Sequence, residues 1–342
     1  MPDGSNSNRP LPLLDVRNLC VSFRSEKGPI RIIENVSFTI REREILSIVG
    51  ESGSGKSMTS LAIMRLIMDP NAVVTGAVLY KGRDLLTLDG HAIRALRGRE
   101  IAMIFQNPMT AFTPVYTIGW QIAEQQKVHL KLGAQEARRR SVDLLSKMGI
   151  PDPDRAFDRY PHQLSGGMRQ RAMIAMAISC EPSILIADEP TTALDVSVQA
   201  QILDLLEGLR EEYGASIILI THDMGVVSAI ADRVMVMYSG RIIEHGEKRD
   251  LLAHPQHPYT RGLMRSIPPM TGARPHRLPS IPGGPPPPDA RPAGCSFRPR
   301  CEFSFDRCLD APPLFPCNNQ FAACFLAENG SHTWDVSDER MP

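Results

Sequence analysis

The stretch "EILSIVGESGSGKS", Glu44 to Ser57, restricts this chain more than any other. A short apolar run enters a glycine-rich turn, and an amphipathic pattern follows that predicts a helix from Ser57 to Met68. Strand, loop and helix in that order are the context of a phosphate-binding loop, and Gly50 to Ser57 fits G-x-x-x-x-G-K-[ST] without mismatch. The glycines let consecutive backbone N–H groups turn inward around a polyphosphate. Lys56 reaches the β and γ phosphates and Ser57 offers a hydroxyl to Mg²⁺. Gly50, Glu51, Ser52, Gly53, Ser54, Gly55, Lys56, Ser57 and Met58 are therefore the expected nucleotide cradle.

The remaining chain supplies a fold for that loop. Alternating "LLDVRNLCVSF" and "IRIIENVSFTI" read as two antiparallel strands joined by "RSEKGP". "PSILIADEP" and "ASIILITHD" are continuous apolar runs with charged residues at their C-terminal ends, as expected of central parallel strands whose ligand lies beyond the carboxyl edge. Between them, "VSVQAQILDLLEGLREEYG" reads as a helix closed by Gly214. The expected class is α/β, with a parallel central sheet, an antiparallel β subdomain and a helical insertion over about 107–165. At the end of "ILIADE", Asp188 can hold a metal through water, and Glu189 can orient and deprotonate an attacking water.

Composition removes several functions. The 38 basic and 38 acidic side chains cancel, so no global field recruits nucleic acid. The dense basic run Arg138, Arg139, Arg140 sits in a helix-like stretch and reads as a solvated helix face. No apolar run approaches the roughly 18 residues of a membrane span. The first residues lack the basic and apolar regions of a signal peptide, so the expected compartment is the reducing cytosol, where structural disulfides are disfavoured.

"LSGGMRQRAMIAMAI", from Leu164, places Ser165, Gly166 and Gly167 before a helix, where N–H groups and the serine hydroxyl form an anion site at a positive dipole end. The stretch resembles the signature motif of the ATP-binding cassette (ABC) family. The resemblance implies a P-loop nucleotide-binding domain in a head-to-tail dimer, each signature facing the ATP held by the partner. It also implies that Gln106 in "IFQNP" contacts Mg²⁺ and the attacking water, and that Asp195 in "TTALD" lies on the loop crossing the dimer interface. By the same likeness His222 in "ITHD" contacts the γ phosphate and Phe23 stacks on adenine. Ser57, Gln106 and Asp188 are then the Mg²⁺ residues, and Glu189, His222 and Gln106 the catalytic ones. One departure is Arg43, where the family commonly has glycine before the glutamate.

Almost half of the 29 prolines fall between Pro268 and Pro316, a composition that excludes regular helix or sheet there. The expected organisation is a disordered tail over 1–12, an ATPase unit over 13–267 and an extension over 268–342. Five of the seven cysteines, Cys295, Cys301, Cys308, Cys317 and Cys324, lie in that extension, while Cys20 and Cys180 read as small core residues. With no C-x-x-C pair a zinc ribbon fits poorly, whereas four thiolates could wrap an iron–sulfur cluster; zinc or no metal stays open.

"HPYTRGLMRSIP", "LPSIPGGPPPP" and "GCSFRPRC" are similar to the C-terminal extension of oligopeptide and dipeptide importer ATPases, and that likeness runs from Leu13 to Leu326. It implies a [4Fe-4S] cluster on Cys295, Cys301, Cys308 and Cys324, with Cys317 surplus. It also implies an ATPase at the cytoplasmic face of the inner membrane. The partners are a second ATPase subunit, either itself or a related chain, two transmembrane permease subunits and an extracytoplasmic peptide-binding protein. Nickel or oligosaccharide cargo is the alternative within the same branch. A soluble ATPase acting on nucleic acid or the ribosome is the rival. Too few residues separate Ser57 from Ser165 for the long coiled coil of repair members, and only one cassette is present.

Overall fold

The computed structural model describes residues 11–192, 195–266 and 280–330. Residues 1–10 of the expected tail, the boundary at 267 and the first linker residues up to 279 lie outside them.

The described strands are, in chain order, β1 (Leu14–Phe23), β2 (Ile30–Ile40), β3 (Ile45–Val49), β4 (Ala72–Tyr80), β5 (Arg83–Asp84), β6 (Ile101–Ile104), β7 (Ile184–Asp188), β8 (Ser216–Thr221), β9 (Arg233–Tyr238), β10 (Arg241–Glu247), β11 (Phe315–Cys317) and β12 (Gln320–Ala322). They form an antiparallel sheet in the order β2-β1-β4-β5 and a larger sheet in the order β11-β12-β10-β9-β3-β8-β7-β6. In the larger sheet β9, β3, β8, β7 and β6 run parallel.

The two sheets differ because their sequences do. β3, β7 and β8 are buried at every residue, as strands covered on both faces must be. β1 alternates instead, and a register shift around Asn18, whose φ is 47°, lets Leu14 and Val16 and then Leu19 and Val21 all point inward. Those residues, with Ile33 and Phe38, pack against Ile48, Ile186, Ile220 and Met237 on one face of the larger sheet. Its other face meets helices, where Ile45, Leu185 and Leu219 pack with Leu144, Phe157, Ile174 and Leu206. Each such buried side chain contributes about 1.5–3 kcal/mol relative to exposure. The sheet is thus clamped from both sides, which fixes its carboxyl edge in space.

Between β6 and β7 every described regular element is helical, from Pro108–Ala111 through Ile118–Leu130, Ala134–Lys147 and Pro153–Phe157 to Gly166–Ile178. The three consecutive arginines lie on the Ala134–Lys147 helix and pair with Asp158, Glu136 and Glu181, an ordinary charged helix face. The helix Val196–Tyr213 ends at Gly214, which is left-handed with φ 67°. No described helix is long and apolar enough to cross a membrane.

Three local expectations need correction. The helix after the phosphate loop spans Lys56–Ile63 and stops well before Met68. Arg65 turns left-handed, φ 52°, and the Leu66 and Arg65 N–H groups close back on the Leu61 and Ala62 carbonyls, a Schellman stop that apolar spacing does not announce. Cys20 is half-exposed on β1, where its sulfur accepts the Asn35 N–H. Pro316 belongs to a strand, β11, the outermost of its sheet, where an absent N–H costs no ladder bond. Arg43, the departure from glycine, has φ 60° and its N–H donates to Ser216 Oγ at 2.8 Å, so a left-handed turn is kept with a non-glycine residue.

The C-terminal segment is stitched to the sheet rather than appended. β12 pairs antiparallel with β10, matching Glu244 to Ala322 and Gly246 to Gln320. Phe297 joins Val49, Tyr238 and Tyr259 in one core, with Cys295 and Cys301 packed against it. The residue preceding the phosphate loop and the cysteine segment therefore share a core.

Candidate functional site

The phosphate loop leaves β3 and is shaped by contacts that only glycine satisfies. A Cβ on Gly50 would stand 2.2 Å from the Met237 carbonyl oxygen. Gly55, with φ 102°, caps the following helix from the left-handed region. Ser54 is buried, Ser52 and Gly53 are exposed at the tip, and Met58 packs into the core beneath. Lys56 is buried and its Nζ donates to the Gly50 and Glu51 carbonyls at 2.6 and 2.9 Å. Burial lowers its pKa, against the attraction of Glu189, Asp188 and Glu51. Phe23, at the end of β1, is half-buried with its ring packed against the inter-sheet core.

The ends of β3, β6, β7 and β8 converge beside that loop. Ser57 Oγ donates to Asp188 Oδ1 at 2.9 Å, joining loop to strand. Next in sequence, Glu189 has φ 49° and is gathered by three side chains. Gln106 Nε2 donates to its Oε2 at 2.8 Å, Thr192 Oγ1 donates to the same oxygen at 2.9 Å, and His222 Nδ1 lies 3.3 Å from Oε1. Burial pushes the Glu189 carboxyl up, but the bonds from Thr192 and His222 and the nearby Lys56 charge outweigh it, leaving the group below its ordinary value. Asp188 moves the other way, raised chiefly by burial and further by Glu189. Two adjacent carboxyls thus differ in character, Glu189 held in its ionised form by its donors and Asp188 desolvated beside a serine hydroxyl.

Four of the expected residues stand apart from this cluster. Ser165 caps Gly166–Ile178 by accepting the Met168 N–H, and both Ser165 and Gly166 are exposed; Gly167 is half-exposed. Asp195 caps Val196–Tyr213, accepting from Ser197 Oγ and the Val198 N–H, bonds that lower its pKa. Both helix starts present polar groups to solvent. The helix behind Ser165 touches the site's frame through Gln170, whose Nε2 donates to the Pro190 carbonyl at 2.7 Å.

In the extension, Cys295, Cys301, Cys308 and Cys324 share one electrostatic neighbourhood. Burial raises Cys295, takes Cys301 up to about 11 and Cys324 up to about 12; Cys308 adds to each rise, Cys295 to those of Cys301 and Cys324, and Cys301 to that of Cys324. Cys317 lies elsewhere, fully buried with Ala322 and Ala327. Among the described residues no three His, Cys, Asp or Glu side chains converge as ligands of a single metal ion.

Comparison with known proteins gives this geometry its context. The profile of the ABC transporter family matches residues 33–192, and that of the oligopeptide/dipeptide transporter C-terminal region matches 243–308. A putative peptide import ATP-binding protein of Brucella abortus is 52% identical over 303 residues, covering 89% of this chain and 91% of that protein. The chain belongs to the ABC transporter family. The dipeptide transport ATP-binding protein DppD of Haemophilus influenzae, also similar, is 49% identical over 304 residues, with 89% and 92% covered. Among solved structures, the dimeric post-hydrolysis state of the ATP-binding cassette MJ0796 bound to ADP and Pi superposes with TM-score 0.62 and 28% identity, over 69% of this chain and 99% of that one. As an ABC ATPase the chain works with ATP and Mg²⁺. Sequence reasoning did not single out Thr192, which shares Glu189 with Gln106, nor Tyr259 and Arg300, which touch the phosphate loop from the C-terminal side. Tyr259 lies in the "HPYT" stretch and had a motif but no assigned partner; Arg300 had no signal beyond lying between two cysteines.

Proposed function

We propose that this ABC ATPase energises the import of oligopeptides or dipeptides across the cytoplasmic membrane. The observation that carries this reading is the match of residues 243–308 to the oligopeptide/dipeptide transporter C-terminal region, in a chain about half identical to relatives named for peptide import. In this reading, which rests on relatives named for peptide import, the chain works peripherally at the cytoplasmic face on two permease subunits. An extracytoplasmic binding protein delivers the peptide. A second ATPase, a copy or a related chain, completes a dimer in which Ser165, Gly166, Gly167 and Asp195 face the ATP on the partner's phosphate loop.

In this reading the loop from Gly50 to Met58 cradles the phosphates, Phe23 borders the base, and Lys56 turns from its own carbonyls to the β and γ oxygens. The donor set fits a hard divalent cation, because Ser57 and Asp188 already stand oxygen to oxygen at 2.9 Å with Gln106 bonded to the neighbouring Glu189. Ser57, Gln106 and Asp188 would hold Mg²⁺, which neutralises charge on the phosphates when bound. Glu189 takes the proton of the attacking water, Gln106 orients that water, and His222 contacts the γ phosphate. The ATPase unit extends to about residue 267 and the extension from 268 onward.

We further infer a [4Fe-4S] cluster held by Cys295, Cys301, Cys308 and Cys324, which lie near enough to act on one another electrostatically. A four-iron cluster spreads its ligands wider than a single ion does, and the thiols of Cys295, Cys301 and Cys324, which burial holds in the protonated form, need a metal to ionise them. Anaerobically purified protein is expected to be brown, with iron and acid-labile sulfide near four per chain, and to lose both on Cys301→Ser but not on Cys317→Ser. Colourless, iron-free wild type would refute the cluster. Transport is tested by reconstituting the ATPase with permease subunits and binding protein. Di- or oligopeptides are expected to stimulate ATP hydrolysis, whereas stimulation by nickel or an oligosaccharide alone would overturn the peptide reading.

A further inference from the structure

The phosphate loop carries an acidic residue, Glu51, directly after its first glycine, in the place where a polyphosphate must be received. An unpaired carboxylate there would repel the ligand, and Lys56 already feels its charge. The structure neutralises it from far along the chain. Arg300, between Cys295 and Cys301, forms a bidentate pair with Glu51, Nη1 to Oε2 at 2.6 Å and Nη2 to Oε1 at 2.9 Å. The Arg300 side chain is only 6% exposed, against 27% for Glu51. The guanidinium is locked by further bonds to the Pro282 carbonyl at 2.8 Å, the Gly283 carbonyl at 3.1 Å and Tyr238 Oη at 3.3 Å. The Glu51 backbone is held as well, its N–H donating to the hydroxyl of fully buried Tyr259 at 2.8 Å. One loop residue is therefore gripped at side chain and main chain by groups from beyond β10.

We propose that Arg300 is a positioning residue for ATP binding, acting through Glu51: it cancels the loop's own carboxylate and holds it off the phosphates. The proposal rests on the ATP-binding reading and extends it to a residue of the C-terminal extension. A planar fork suits the task because it satisfies both carboxylate oxygens in a fixed plane, which an ammonium cannot do.

The test is titration of the full-length protein with a fluorescent ATP analogue in Mg²⁺ for wild type, Arg300→Ala, Glu51→Gln and the double variant. Arg300→Ala is expected to weaken binding about tenfold, equivalent to about 1.4 kcal/mol. Adding Glu51→Gln is expected to restore affinity to within about twofold of wild type, since the repelling charge is gone. If Arg300 only props up the fold, the double variant will be as weak as Arg300→Ala or weaker, and that result overturns the proposal, as does an Arg300→Ala affinity equal to wild type. Should Arg300→Ala fail to fold, Arg300→Lys takes its place, with a weaker affinity than wild type expected in the Glu51 background and none of that loss in the Glu51→Gln background; a loss of equal size in both refutes the idea. Failure of wild type itself to bind the analogue would count against the ATP-binding reading instead.

Discussion

Replacing Glu189 by Gln is expected to cut steady-state ATP hydrolysis by about 10²–10⁴-fold, the usual contribution of a positioned general base, while ATP still binds. The substitution keeps the side chain's shape but removes the acceptor on which three donors converge. Gln106 and Thr192 share one carboxylate oxygen and His222 approaches the other. An amide satisfies some of these bonds, so the pocket stays folded, yet it takes no proton from water. Because the cradle from Gly50 to Ser57 and the Ser57–Asp188 contact are untouched, nucleotide affinity is expected to stay within a few-fold of wild type. In a dimer whose reopening needs hydrolysis, ATP then holds two subunits together. Phosphate release and light scattering with ATP read both effects, and turnover near the wild-type rate would remove Glu189 from the base role.

Lys56→Ala has the second largest expected effect, a fall in ATP affinity of about 100-fold. Lys56 is 5% exposed, and its ammonium is already desolvated and supplied with the Gly50 and Glu51 carbonyls and Ser54 Oγ as acceptors. A charge so prepared loses little hydration on meeting a phosphate, and one charge-assisted bond of this type contributes about 1.5–3 kcal/mol, a range that includes the roughly 2.8 kcal/mol of a 100-fold loss. Calorimetric titration with ATP and Mg²⁺ measures it. Unchanged affinity would mean that the loop does not receive the phosphates.

Features whose physics is local could be read from the chain alone. The phosphate loop is contiguous, and each of its residues has one steric or electrostatic duty. β3, β7 and β8 were readable because a strand covered on both faces must be apolar throughout, and the acidic ends of β7 and β8 mark the carboxyl edge. Features set by the meeting of distant segments were hidden. Glu51 and Arg300 are 249 residues apart, and neither residue type nor spacing announces the pair. The Lys56–Ile63 helix ends where Arg65 accepts a left-handed turn, a choice set by packing rather than by a glycine or proline at that point. β11 and β12 are three residues each and carry too little alternation to register as strands, so the proline-rich region looked like a linker when part of it is sheet. Thr192 was visible in "PTTALD" but reaches Glu189 only because the backbone turns left-handed at that glutamate.

The antiparallel seam between β10 and β12 has a consequence for truncation. A protein cut after the helix Pro258–Arg265 would lose β12 and leave one side of β10 with donors and acceptors facing water, an open template for pairing with other copies. The C-terminal hairpin thus covers an edge of β10 that would otherwise stand open to self-pairing.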